Sequence, residues 1–315
     1  MVTTRTQEGL PFVCTRFMNA IVNGIIARAY TLFPVTVCAA KLMGNHLHML
    51  TVPTDPELLV RFVNHVKTEL AHAVNHLLGH RRRTVWCEGF DAQPILTRSS
   101  AIEKFIYLYT NPQQAGLVEH AEEYPGVSTW NMFVEDNFTF TAPWIRRMQI
   151  EKLPSPVLSI EEDMRLTATL KEEATDEHTF VLQPYAWINC FSEGTRDIAK
   201  VKEEIIQGVR AKEEALIKER AEKKTPCLGA EKLKQQPINL KYTPTKFSKR
   251  MWCICDDVDL RVAFIKWAKK LVAEGRTVLK RWRTGDRTAQ YPPGLFPPSF
   301  PKLANVVPRI AFQTI

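Results

Sequence analysis

His46 and His48 are separated by one residue within the β-prone run from His46 to Val52. A strand's period of two puts both imidazoles on one face and Leu47 on the other. Two imidazoles so placed can hold a divalent metal, which in turn can polarise a phosphoryl oxygen; the same pair also reads as a structural His-X-His. Downstream, Tyr107 and Asn111 lie four residues apart, so on a helix they share a face. Tyr109 is turned about 200° from Tyr107, and only one of the two can face the histidines. A phenol with a pKa of about 10 needs a nearby cation or base before it attacks at neutral pH. A metal, or Lys104 one turn back, would serve; without either, Tyr107 reads as an ordinary core aromatic.

The elements that must position these groups follow from periodicity. Phe12 to Phe17 reads as a first strand, and Ala20 to Phe33 as a helix stopped by Pro34. Val35 to Leu42 and His46 to Val52 are apolar runs split by Met43, Gly44 and Asn45, the pattern of a tight hairpin. Pro56 opens a long helix with apolar residues from Leu58 to Leu77 at helical intervals, closed near Gly79. Pro94 to Thr97 is a weaker strand. Ser100 with Glu103 forms a capping box for the helix of Tyr107, which Pro112 ends.

Beyond about residue 150, Pro154 and Pro156 mark a boundary, dividing the chain into domains 1–150 and 151–315. Charges alternate in sign from Asp197 to Lys224, the look of a long exposed helix. A shorter amphipathic helix spans Asp259 to Ala273, and the segment from Tyr291 to Pro301 is irregular, packed through Phe296 and Phe300. The second region is therefore mainly helical. It is also basic: of the net +8, residues 1–150 supply +1, 151–231 supply −5 and 232–315 supply +12. Such a concentration suits a phosphate-binding surface or a solubilising face.

The seven cysteines have no framework spacing, which fits reduced thiols in a cytosol, with Cys253 and Cys255 as core thiols. His72, His76 and His80 recur every four residues without an accompanying acid and read as surface or packing groups. No export signal or membrane span is expected.

The stretch VTVCAAKLMGNHLHMLTV, followed by FIYLYTNPQQAGLVEHAEEYPGVSTW, resembles the single-tyrosine HUH transposases of the REP-associated and insertion-sequence branch, over roughly residues 10–133. That resemblance implies an α+β, ferredoxin-like antiparallel sheet with helices on one face. It further implies a magnesium or manganese ion on His46 and His48 with Asn111 as third ligand, and Tyr107 as nucleophile. The implied partner is single-stranded DNA carrying a hairpin, cleaved and rejoined through a 5′-phosphotyrosine in the bacterial cytoplasm, with a homodimer left open. Gly44 departs from the family's usual Pro, and only Trp86 is kept in its neighbourhood. Candidate DNA contacts are Arg81, Arg82 and Arg83, and the cluster Lys280, Arg281, Trp282 and Arg283, where an aromatic between cations could stack on a base. The alternatives are a replication or relaxase nickase, which the AGLV helix ending disfavours, and a non-catalytic DNA-binding relative.

Overall fold

The computed structural model describes residues 1–80, 83–146, 149–243 and 251–295. The chain forms two compact units, one of residues 1–93 and 98–249, the other of 94–97 and 250–315. The boundary expected near 150 therefore falls near 250.

The first unit is α+β. It opens with strand β1 (Val2–Arg5), helix α1 (Arg16–Leu32), the hairpin β2 (Thr36–Met43) and β3 (His46–Val52), helix α2 (Pro56–Leu77) and the short β4 (Asp91–Ala92). This βαββαβ succession builds a fully antiparallel sheet in the order β2-β3-β1-β4. The expected strand over Phe12 to Phe17 does not form. Thr15 instead caps α1, accepting from the Met18 N–H at 3.1 Å, while Asp163 takes the Arg16 and Phe17 N–H groups at 2.9 and 2.8 Å. Two otherwise orphaned donors are thereby satisfied from a residue 147 positions away.

Alternation sorts the sheet. Val2, Ala40, Leu42, Leu47 and Met49 join α1 and α2 in one buried core. The opposite face carries Thr3, Arg5, Lys41, His46 and His48 and meets α3 (Arg98–Gln114). Helices thus lie on both faces rather than one, and α3 is the helix that bears Tyr107. Ser100 and Glu103 sit inside α3, which begins at Arg98 and runs two residues past Pro112. The hairpin closes from Met43 to His46 through Gly44 and Asn45. Neither turn residue has a positive φ, so glycine is not demanded at position 44.

Residues 139–223 pack onto this frame. Strands β5 (Thr139–Trp144) and β6 (Asp176–Val181) pair as an antiparallel ribbon that lies with α5 (Ile160–Glu172) against α1. The approach is close enough that a side chain at Gly24 would run into the Pro143 carbonyl. Helix α4 (Trp130–Val134) follows α3. Helix α6 (Ile198–Lys223) is not the exposed helix its charges suggest, because it buries Val201, Ile205, Val209 and Glu213 and packs on α3. This packing moves the boundary to 250: the middle third completes the first core instead of forming its own. Helix α7 (Ala230–Lys234) closes the unit.

In the second unit, Ile95 and Ile254 form an isolated parallel bridge, all that appears of the expected strand at 94–97. Helix α8 runs Val258–Arg283, ten residues beyond the expected end at Ala273. Cys253 and Cys255 are buried, and all seven cysteines are free thiols. Phe296 and Phe300 lie outside the described residues. Among the described residues no helix is long and apolar enough to cross a membrane.

Candidate active site

The two histidines are held by their strand neighbours. His48 is paired across β1 with Thr3, whose hydroxyl lies 3.0 Å from His48 Nδ1; His46 is paired with Arg5 and has Asn45 Oδ1 2.7 Å from its own Nδ1. Asn45 Oδ1 can only accept, which favours a proton on His46 Nδ1 and the lone pair on Nε2, whereas the Thr3 hydroxyl can serve either tautomer of His48. The rings meet edge to face with centroids 4.7 Å apart. His48 is buried and His46 half-buried. Burial pushes His46 down to about 4, opposed by the Asn111 hydrogen bond, and pushes His48 down to about 3 with help from His46 and the cations Arg5 and Lys104. Both are therefore neutral at pH 7, the state in which imidazole binds metal.

Helix α3 delivers the remaining groups from above. The Tyr107 ring stands edge to face with His48, centroids 5.7 Å apart, and Asn111 Oδ1 lies 3.3 Å from His46 Nε2. Burial raises the Tyr107 pKa, while its hydrogen bond with the Asn111 side chain and the charge of Arg5 lower it. Lys104 sits over the Tyr107 ring, its Nζ 5.2 Å from the centroid, so this cation faces the π system. Tyr109 points the other way, fully buried among Phe105, Trp130 and Phe133, with its hydroxyl 3.3 Å from Thr129 Oγ1. The helical offset of two residues separates the two tyrosines as expected.

Lys41, which sequence reasoning overlooked, ties α3 to the sheet. It is fully buried in β2 on the His48 side, and its ammonium donates to the Tyr109 carbonyl at 2.9 Å. Burial lowers its pKa to about 7, and Glu213 of α6 opposes that shift. A lysine inside the apolar run of β2 was the available signal. Arg5 and Thr3 were missed with the strand that carries them; the β-branched run Val2-Thr3-Thr4 was the cue there.

The proposed DNA contacts divide between the two units. Arg81 and Arg82 lie outside the described residues. Arg83 is half-buried, with Nη2 3.7 Å from Glu8 Oε2. Lys280, Arg281 and Arg283 are exposed in the last turn of α8, and Arg281 pairs with Asp286. Trp282 is 4 % exposed, so it is a core residue of its unit and not a free platform for a base. His76 bonds the Ile150 carbonyl and His72 lies 3.9 Å from Glu69, so the α2 histidines are engaged separately.

Among the described residues no group of three or more His, Cys, Asp or Glu could hold a metal; the side-chain oxygen placed beside the histidine pair by α3 is Asn111 Oδ1. No protein-family model matches the chain, and no curated protein matches it. A solved structure of a REP-associated tyrosine transposase bound to a REP hairpin is similar to it at 19 % identity and a TM-score of 0.36, over 42 % of this chain and 77 % of that one. So loose a superposition bears on neither activity nor partner.

Proposed function

We propose that the first unit is a metal-dependent, single-tyrosine nuclease and strand transferase acting on hairpin-bearing single-stranded DNA, as a transposase does. The observation that carries this reading is the meeting of Tyr107 and Asn111, from one helix face, with the His46–His48 pair on the sheet. The βαββαβ order and the β2-β3-β1-β4 sheet are those of a ferredoxin-like sandwich, which supports the same reading.

The donor set fits a divalent ion. With Nδ1 protonated, the His46 Nε2 lone pair faces the Asn111 oxygen at 3.3 Å, an arrangement that a cation satisfies and that a turned amide would also satisfy. His46, His48 and Asn111 would hold it. All three donors are neutral, which favours manganese over magnesium, since imidazole suits first-row metals and magnesium prefers carboxylates. When bound, such an ion polarises a phosphoryl oxygen and stabilises the charge that develops on it.

The chain's own groups do the rest. The Tyr107 phenol gives up its proton to solvent, helped by the charge of Arg5, and its oxygen attacks the scissile phosphorus. A new O–P bond forms as the bond to the 3′ oxygen breaks, and that oxygen takes up a proton. The products are a 5′-phosphotyrosine and a free 3′-hydroxyl. Because the phosphodiester is conserved, another 3′-hydroxyl can reverse the step and join a new end. Lys41 acts as a positioning residue, tying the Tyr109 carbonyl, and with it α3, to the sheet.

Incubating the chain with labelled hairpin single-stranded DNA and Mn²⁺ tests this. A covalent adduct is expected from wild type and from Tyr109→Phe, and none from Tyr107→Phe. Binding without adduct in the wild type would instead indicate a non-catalytic DNA-binding protein.

A further inference from the structure

Between Lys266 and Arg283, α8 carries seven cations and one acid, Glu274. At 100° per residue, Lys266, Lys269, Lys270, Arg276, Lys280 and Arg283 fall within about 140° of the circumference and along about 26 Å of the axis. All six are exposed, and none has an ion-pair partner among the described residues. Several are spaced three or four apart, where like charges repel, so the face carries uncompensated positive charge.

Toward its C-terminal end the other side of the same helix is engaged within its unit, whereas Leu260 and Trp267 nearer its start are exposed. Trp282 donates its indole N–H to the Ala289 carbonyl at 2.8 Å and packs on Tyr291 with centroids 5.4 Å apart. A side chain at Gly275 would meet Leu295 and Tyr291. Insertion into a lipid surface requires the apolar side to be free, and the C-terminal half of α8 has spent it on its own chain. Within the cationic arc itself no aromatic falls, and the exposed Trp267 lies about 60° beyond its edge at Lys270, whereas single-strand binders interleave cations with several stacking rings.

We propose that α8 is a sequence-independent docking surface for the phosphate backbone of duplex DNA. The band of point charges along the helix meets a rod carrying one negative charge per about 1.7 Å. This surface is independent of the cleavage chemistry and extends well beyond the cluster at the helix end.

The test uses the full chain in EDTA with a labelled duplex of roughly 30 base pairs and arbitrary sequence, read by fluorescence anisotropy across salt. Six phosphate contacts predict an affinity loss on the order of 10³ between about 50 and 200 mM salt. The quadruple variant Lys266→Gln, Lys269→Gln, Lys270→Gln, Lys280→Gln should lower the log–log salt slope by about 3 to 4. Arginine at the same four positions should keep the slope, and far-UV circular dichroism should be unchanged in both variants. Tyr107→Phe should bind duplex as wild type does, so failure of the cleavage reading and failure of this one are distinguishable. An unchanged slope in the glutamine variant, or capture by anionic vesicles without capture by duplex, overturns the proposal.

Discussion

Acid should weaken the first unit through the histidine pair, by an amount that follows from burial. In the unfolded chain both rings take up protons near 6.5, whereas the folded chain holds His46 neutral down to about 4 and His48 down to about 3. Protons therefore favour the unfolded state, and the stability present above 6.5 is lost progressively as pH falls toward those lower values. At pH 5 each ring costs about 2 kcal/mol, from 1.36 kcal/mol per pH unit over about 1.5 units. Two rings give about 4 kcal/mol, which in a unit of this size corresponds to roughly 8–16 °C in Tm. The assay is thermal unfolding by circular dichroism at pH 7 and pH 5 in EDTA. It compares wild type with the double variant His46→Asn, His48→Asn, so that carboxylates common to both cancel. Wild type should lose more between the two pH values, by that margin. Equal losses would mean that the rings are not held neutral by burial, and the case for a preformed pair of lone pairs would fail.

Tyr109→Phe removes a long hydrogen bond to Thr129 inside the aromatic cluster; about 1 kcal/mol of stability should be lost in urea titration, with adduct formation unchanged. Glu213 is 1 % exposed and accepts from the Gln113 side chain, the Ala121 N–H and Arg210. Glu213→Ala leaves the Gln113 and Ala121 donors without that acceptor and Arg210 with Glu122 alone, and should cost about 3 kcal/mol by the same measurement, with Glu213→Gln costing less. Arg5→Gln removes a cation that lowers the Tyr107 pKa, so the pH profile of adduct formation should move to higher pH.

The local parts of this molecule were legible in its sequence because they depend on near neighbours. The hairpin around Gly44 and Asn45, the span of α2 from its Pro to Leu77, and the shared helix face of Tyr107 and Asn111 follow from periods of 2 and 3.6 and from turn chemistry. The same periods separated Tyr107 from Tyr109. Other features hinged on partners far along the chain. Thr15 and Asp163 together make Arg16 a helix start, so the run from Phe12 that reads as a strand stays irregular. The charges of α6 suggested a solvent-exposed helix, yet Val201, Ile205 and Val209 form a narrow stripe that finds α3 and draws the middle third of the chain into the first unit. Trp282 sits between cations in sequence but between Ala289 and Tyr291 in space. Residue type and spacing determined which groups can do chemistry. Whether an imidazole keeps its lone pair, a lysine is buried against a carbonyl, or an indole is free to stack depends on desolvation and on contacts made across tens of residues, and only the tertiary structure decided those.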